Sequence, residues 1–168
     1  MSDAVDEMIG QWAEQRPELA DDMWPLQLLS RVQRMGQILT KEVKRFAAEH
    51  GLEQAEADVL FTLRRSGPPY ALTAGAFLKA SMVTSGAITN RIDRMEAKGL
   101  VERVRDGADR RTVRISLTDH GLRLADELIA DHLINYARIC EALDRDECEQ
   151  VAGALRKLLE AHGDTSLA

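Results

Sequence analysis

Two short stretches of the 168-residue chain carry polar side chains at spacings that suit contact with an extended polyanion. In the first, Ser85, Thr89, Asn90 and Arg94 fall around the outer side of a segment whose apolar residues Ile88, Ile92 and Met95 recur at i, i+4, i+7. Short hydroxyl and amide side chains can exchange hydrogen bonds with base edges, and a guanidinium suits a phosphate or a guanine. A solvated helix face is the plainer reading of the same four residues. In the second stretch Arg105, Arg110 and Arg111 gather over 105–111. Asp109 stands two residues before Arg111, close enough to orient its guanidinium through a charge-assisted bond. Arginines on a thin ribbon can enter a narrow minor groove, where the potential is most negative. The competing reading is a charged turn in water.

Other chemistries lack the residues to carry them. There is no Gly-rich phosphate loop, no nucleophile elbow and no His-Glu metal motif, so an enzyme is not expected. His50, His120, His132 and His162 are scattered, with no Cys/His pairing at ligand spacing, so neither a metal nor a cofactor is expected. Cys140 and Cys148 read as small buried hydrophobes. No apolar h-region follows Met1-Ser2-Asp3, and no apolar run approaches ~18 residues. The expectation is a cytoplasmic protein with reduced thiols and no membrane partner.

The net charge of −6 sits awkwardly with a polyanion partner. From Lys79 to Arg114, however, nine cations face five acids, an excess of four that leaves −10 for the rest of the chain. Phosphates feel the local field rather than the average, so an acidic body with a basic segment is compatible with directed nucleic-acid binding.

The elements that must position these residues follow from periodicity and breakers. Residues 3 to 16 read as a short helix ended by Pro17. A second helix starts near Pro25, carries Leu28, Leu29, Val32, Met35, Leu39, Val43 and Phe46 at three- and four-residue steps, and stops at His50-Gly51. A third spans about Gln54 to Arg65, before Ser66-Gly67-Pro68-Pro69. Thr73 is the expected cap of a short helix over Ala74 to Lys79, and Thr84 or Ser85 caps the next, which Gly99 ends. Leu100 to Val104 is strand-like, and Val113 to Leu117 alternates with period two. Beyond Thr118 a long helix runs to about Leu143, and Asp144 with Glu147 resembles a capping box opening the last helix. Helix, turn, helix and then a hairpin with a charged tip is the winged helix-turn-helix plan: mostly α with a small β-hairpin wing (α+β).

The residues from Leu72 to Gly121 resemble the core of the MarR family of transcriptional regulators. The likeness rests on residues 84–96, Thr-Ser-Gly-Ala-Ile-Thr-Asn-Arg-Ile-Asp-Arg-Met-Glu, on Gly99-Leu100-Val101, and on Asp109-Arg110-Arg111 followed by Leu117-Thr118 and Gly121. It implies one domain over 1–168: dimerisation helices at 1–50 and 119–168 flank a DNA-binding lobe at about 52–118. It further implies a homodimer that binds double-stranded DNA at a pseudo-palindromic operator. An extra N-terminal helix around Trp12 makes the chain similar to the urate-responsive branch of the family. That resemblance implies a ligand set of Trp12, Asp58, Arg91 and Arg103, and a repressor released by a small anionic effector such as urate or a polycarboxylate. Simpler roles for these residues stay open: Trp12 packing its helix, Arg91 touching phosphate, Asp58 with Arg103 as an ion pair. The alternative functions are a winged-helix protein-interaction module, or a regulator without a small-molecule ligand.

Overall fold

The structure is a computed structural model that describes residues 2–80, 88–105 and 112–167. It divides into two compact units, residues 1–51 and 52–168. The first holds α1 (Ala4–Gln15), a 3-10 helix (Pro17–Met23) and α2 (Trp24–Glu49). The second holds α3 (Gln54–Arg65), β1 (Ala71–Thr73), α4 (Ala74–Ala80), α5 (Ile88–Ala97), β2 (Val101–Arg105), β3 (Val113–Leu117), α6 (Asp119–Ile139) and α7 (Arg145–Ala161). No helix among the described residues is long and apolar enough to cross a membrane.

In the first unit, Asp3 caps α1 by accepting from the N–H groups of Val5 and Asp6, and Asp6 returns a bond to the Asp3 N–H. Arg31 on α2 then grips both carboxylates, with Nε 2.9 Å from Asp3 and Nη2 2.7 Å from Asp6. The cap that starts α1 therefore also anchors it to α2. Pro17 ends α1 as expected, but the chain enters a 3-10 helix rather than a plain loop. Pro25 sits in the first turn of α2, where a missing N–H costs nothing. Gly51 follows the C-terminus at φ 68°, the left-handed conformation that glycine adopts without strain.

The second unit is built around a three-stranded antiparallel sheet in the order β1-β3-β2. The hairpin of β2 and β3 was expected; β1 was not. Ala71, Leu72 and Thr73 pair with Ser116, Ile115 and Arg114, so β3 becomes the central strand. Thr73 still caps α4, accepting from the Ala76 N–H at 3.1 Å. Ile115 and Leu117 point inward from β3, and they share a core with Val59, Leu60 and Leu63 of α3, Phe77 of α4, Ile92 and Met95 of α5, and Ala125 and Leu128 of α6. Thr118 caps α6 through the Gly121 N–H, and its own hydroxyl donates to the Gly99 carbonyl at 2.7 Å. A Cβ built at position 121 would lie 1.9 Å from the Leu100 carbonyl oxygen, so only glycine allows α6 to start this close to β2. The α6 helix ends at Ile139, earlier than its apolar stripe suggested, and Asp144 with Glu147 forms the capping box that opens α7.

Candidate functional site

Helix α5 is held from two sides within the second unit. Ile92 and Met95 are buried, while Thr89 and Asn90 stand exposed. At its C-terminal half, Arg94 meets Glu53 in two parallel bonds, Nη1–Oε1 at 2.9 Å and Nη2–Oε2 at 3.0 Å. One turn on, Lys98 Nζ donates to Glu56 Oε2 at 2.7 Å. Both acids stand at the start of α3, where the Glu56 carboxylate also accepts from the Glu53 N–H at 2.9 Å. Glu56 is only 1% exposed. Burial pushes its carboxyl up, but the bonds from Lys98 and the Glu53 amide outweigh that and hold it below the usual carboxylate range.

On the other flank Arg103 ties β2 back to α5. Its guanidinium donates to Asp93 Oδ1 at 2.7 Å and to the Glu96 carboxylate, and its own N–H donates to Glu96 Oε1 at 2.9 Å. The Asp93 bond leads the interactions that push the guanidinium's pKa up. The hairpin base is thereby fixed to the helix before it. Arg105 stands exposed at the far end of β2, in register with Val113.

The sequence-derived contact residues divide accordingly. Thr89, Asn90, Arg94 and Arg105 share the lobe of α5 and the hairpin, Arg94 being engaged by Glu53. Ser85, Asp109, Arg110 and Arg111 lie outside the described residues, as does Thr84, the alternative cap. Of the ligand set, the structure brings Asp58 and Arg91 together. Burial pushes the Asp58 carboxyl up, and the nearby Arg91 charge partly offsets this. Asp58 Oδ2 and Arg91 Nε are both buried without a hydrogen-bond partner among the described residues. Arg103 is bound to Asp93 and Glu96, so it does not form the ion pair with Asp58 that stood as the simpler reading. Trp12 belongs to the first unit; it is half exposed and lines a cleft of about 300 Å³ with Leu19, Met23, Pro25 and Leu26.

Reading the sequence did not single out Glu53, Glu56, Lys98, His132 or Tyr136. On α6 the His132 ring lies 4.0 Å from that of Tyr136 and 5.5 Å from that of Phe61. Burial holds the His132 ring below the ordinary imidazole range. Burial, and then the Asp58 charge, pushes the Tyr136 hydroxyl up. Asp58 therefore has an aromatic group from α6 beside it as well as Arg91 from α5. The signal available in sequence for Glu53 and Glu56 was their three-residue spacing just before an apolar run, the pattern of a capping box.

Residues 50–112 match the MarR family. The chain is 31% identical over 143 residues to the HTH-type transcriptional regulator PecS of Dickeya dadantii, covering 85% of each protein. Among solved structures it is similar in fold to a cysteine-to-serine mutant of MarR from E. coli complexed with operator DNA (TM-score 0.67, 23% identity, 94% of this chain and 99% of that one). It is also similar in fold to BpsR of Bordetella bronchiseptica, whose DNA binding is regulated by 6-hydroxynicotinic acid (TM-score 0.66, 24% identity, 78% and 91%). With a winged helix-turn-helix lobe and a relative this similar over most of both lengths, the chain belongs to the MarR family of transcriptional regulators.

Proposed function

We propose that the chain is a DNA-binding transcriptional repressor that acts as a homodimer on a pseudo-palindromic operator and is released by a small anionic effector. The observation that carries the DNA reading is α5 itself. Its outer face offers Thr89 and Asn90, and its flanks are pinned by Glu53 and Glu56 on one side and by Arg103 on the other. A helix that enters a major groove must be held so that its side chains arrive in register, and this one is. The hairpin would lie along the adjacent minor groove, with Arg105, Asp109, Arg110 and Arg111 as its contact residues and Ser85 completing the helix set.

Dimer formation is supported by apolar rows left exposed on both ends of the chain: Leu28, Leu29, Val32 and Ile38 on α2, Leu133 and Ile134 on α6, Val151 and Leu159 on α7. Burying one such side chain is worth about 1.5–3 kcal/mol. A handful per protomer offsets the roughly 4–15 kcal/mol that association costs. Two copies of α5 would then meet half-sites about one helical turn apart.

The effector reading rests on Asp58 and Arg91. A guanidinium and a carboxyl, each with an unused buried polar atom, can bind a ligand carrying both an anionic acceptor and a donor, as urate does. Because Arg91 sits on α5, a ligand that holds it displaces the helix from its match to the second half-site. The coupling is reciprocal, typically about 1–3 kcal/mol. The test is fluorescence anisotropy on DNA from upstream of the chain's own gene, with random DNA as control, repeated while urate and small polycarboxylates are titrated in. Operator binding at least ~10³ tighter than random DNA supports the regulator. Equal affinity for both DNAs leaves an interaction module, and specific binding that no acid alters leaves a regulator without a ligand.

A further inference from the structure

Among the described residues Tyr70 is the one non-glycine residue in the left-handed backbone conformation, at φ 57°. That region is crowded for any residue with a Cβ and is entered at a cost. The Tyr70 backbone is tied on both sides. Its N–H donates to the Gly67 carbonyl at 2.7 Å, and its carbonyl accepts from the Leu117 N–H at 3.1 Å. Its ring takes the guanidinium of Arg64, with Cζ 5.0 Å from the ring centroid. Arg64 stands in the last turn of α3, and its Nε donates to Asp126 Oδ1 on α6 at 2.5 Å. Segments far apart in sequence thus meet on one guanidinium. None of the DNA or effector chemistry proposed above uses these side chains.

Helix α6 is therefore held at two places. At its root, the Leu117 N–H is bonded to Tyr70, and Thr118 to the Gly99 and Leu100 carbonyls. About two turns further on, Asp126 is bonded to Arg64. Ala125 and Leu128 also press this stretch onto the core, but packed apolar faces resist separation better than a small slide. The ion pair, oriented by the Tyr70 ring, resists the slide. We propose that Arg64 is a positioning residue for operator recognition: it fixes the direction in which α6 leaves the lobe, and so sets the half-site spacing that the dimer accepts. This rests on the homodimer reading above. Helix α6 has 21 residues and is about 30 Å long. A pivot of about 6° over that length displaces one end by about 3 Å, close to the ~3.4 Å rise of one base pair. A small release at Asp126 is enough to change the register.

The test uses the purified full-length chain and a duplex that it selects from a random pool. Companion duplexes carry one base pair more or fewer between the half-sites, or keep a single half-site. A shifted spacing obliges the parent to break the Arg64–Asp126 pair in each protomer, whereas Arg64→Met and Asp126→Ala have no pair to break. The two side chains are 38% and 50% exposed. A pair this open shifts an equilibrium by about 1.4- to 5-fold, hence about 2- to 30-fold over two protomers. Discrimination against the shifted duplexes should fall by that factor in both variants, and by no more in the double variant. Affinity for the single half-site should stay at the parent's value. Tyr70→Phe keeps the ring and should keep the parent's discrimination. Discrimination that survives in both single variants would overturn the proposal and leave Arg64 a surface brace. A loss on the single half-site as large as on the full duplex would also overturn it, making Arg64 a DNA contact. A parent without any spacing preference would remove the homodimer reading, and the proposal with it.

Discussion

Replacing Glu53 by glutamine should tighten operator binding, and the size of the gain says what Arg94 does. In the free protein Arg94 is held by Glu53 in a bidentate pair whose side chains are 52% and 58% exposed. A pair this open is worth about 0–1 kcal/mol, and DNA must overcome that amount before Arg94 can turn to a phosphate or a guanine. The substitution also deletes a negative charge near the DNA-facing surface. At a separation of about 10 Å in water that charge costs about 0.4 kcal/mol, and salt screening cuts it to roughly a third. Together the two effects come to about 0.1–1.1 kcal/mol, which is a gain of up to roughly 6-fold in affinity. If Arg94 then holds a phosphate, the slope of log K against log salt should steepen by about 0.9. The capping bond from the Glu53 N–H to Glu56 uses the backbone, so α3 keeps its start and the melting temperature should barely move. The assay is an anisotropy titration between about 50 and 200 mM salt, on the parent, Glu53→Gln, Arg94→Ala and the double variant. In the double variant the gain should vanish. An unchanged or weaker affinity in Glu53→Gln, with an unchanged slope, would refute Arg94 as a DNA contact and leave it a brace between α3 and α5.

Lys98→Ala leaves the buried Glu56 carboxylate with one backbone donor, at a cost of about 1–3 kcal/mol and several degrees of melting temperature. Because Glu56 titrates below its unfolded value, its stabilisation is present above the unfolded pKa and lost as pH falls through the folded one. Melts taken at falling pH should therefore decline less steeply in Lys98→Ala than in the parent. Gly121→Ala must push α6 away from the Leu100 carbonyl, and a loss below about 1 kcal/mol by thermal melt would show that the contact relaxes easily. Asp58→Asn should keep operator affinity but blunt the response to the effector in the anisotropy titration. Asp58 titrates above its unfolded value, so the parent loses stability as pH rises through the folded pKa, and melts of the asparagine variant should lack that decline.

Elements defined by local periodicity and by their own caps were legible without coordinates. Helix α3 was bounded by His50-Gly51 before it and by Ser66-Gly67-Pro68-Pro69 after it, and the alternation of Val113 to Leu117 marked β3. What escaped depends on partners distant in sequence. Ala71-Leu72-Thr73 is too short to show a period of two, and it becomes a strand only because Ser116, Ile115 and Arg114 offer it a ladder. The 3-10 helix over Pro17–Met23 carries no apolar stripe of its own. The stripe of α6 runs on toward Leu143, yet the helix stops at Ile139 because the chain must turn at Cys140 to bring Asp144 to the cap of α7. At the site, residue type suggested Arg94 as a contact for DNA, and the family resemblance implied Arg103 as one for an effector. Only the crossing of α3 over α5, and the seating of β2 on α5, reveal that Glu53, Asp93 and Glu96 already hold them.

Those ion pairs change how the charge of the basic segment should be counted. Of its nine cations, Arg94, Lys98 and Arg103 are each joined to a carboxylate inside the lobe, and Arg91 lies beside Asp58. A cation already neutralised at close range contributes little to the field at a phosphate and releases few counterions when DNA arrives. The local excess of four positive charges therefore overstates the number of phosphate contacts. What the pairs supply instead is position: α5 is tied to α3 by Arg94 and Lys98 and to β2 by Arg103, so helix and hairpin base move as one piece. On this view the salt-dependent part of operator binding falls to the hairpin arginines. Discrimination between sequences falls to the short polar side chains of α5, whose small reach makes a rigid mounting necessary. A lobe built this way is also easy to switch. On the proposed reading, a ligand that engages Arg91 acts on a helix braced by α3 and β2, and its displacement would reach the hairpin base through Arg103.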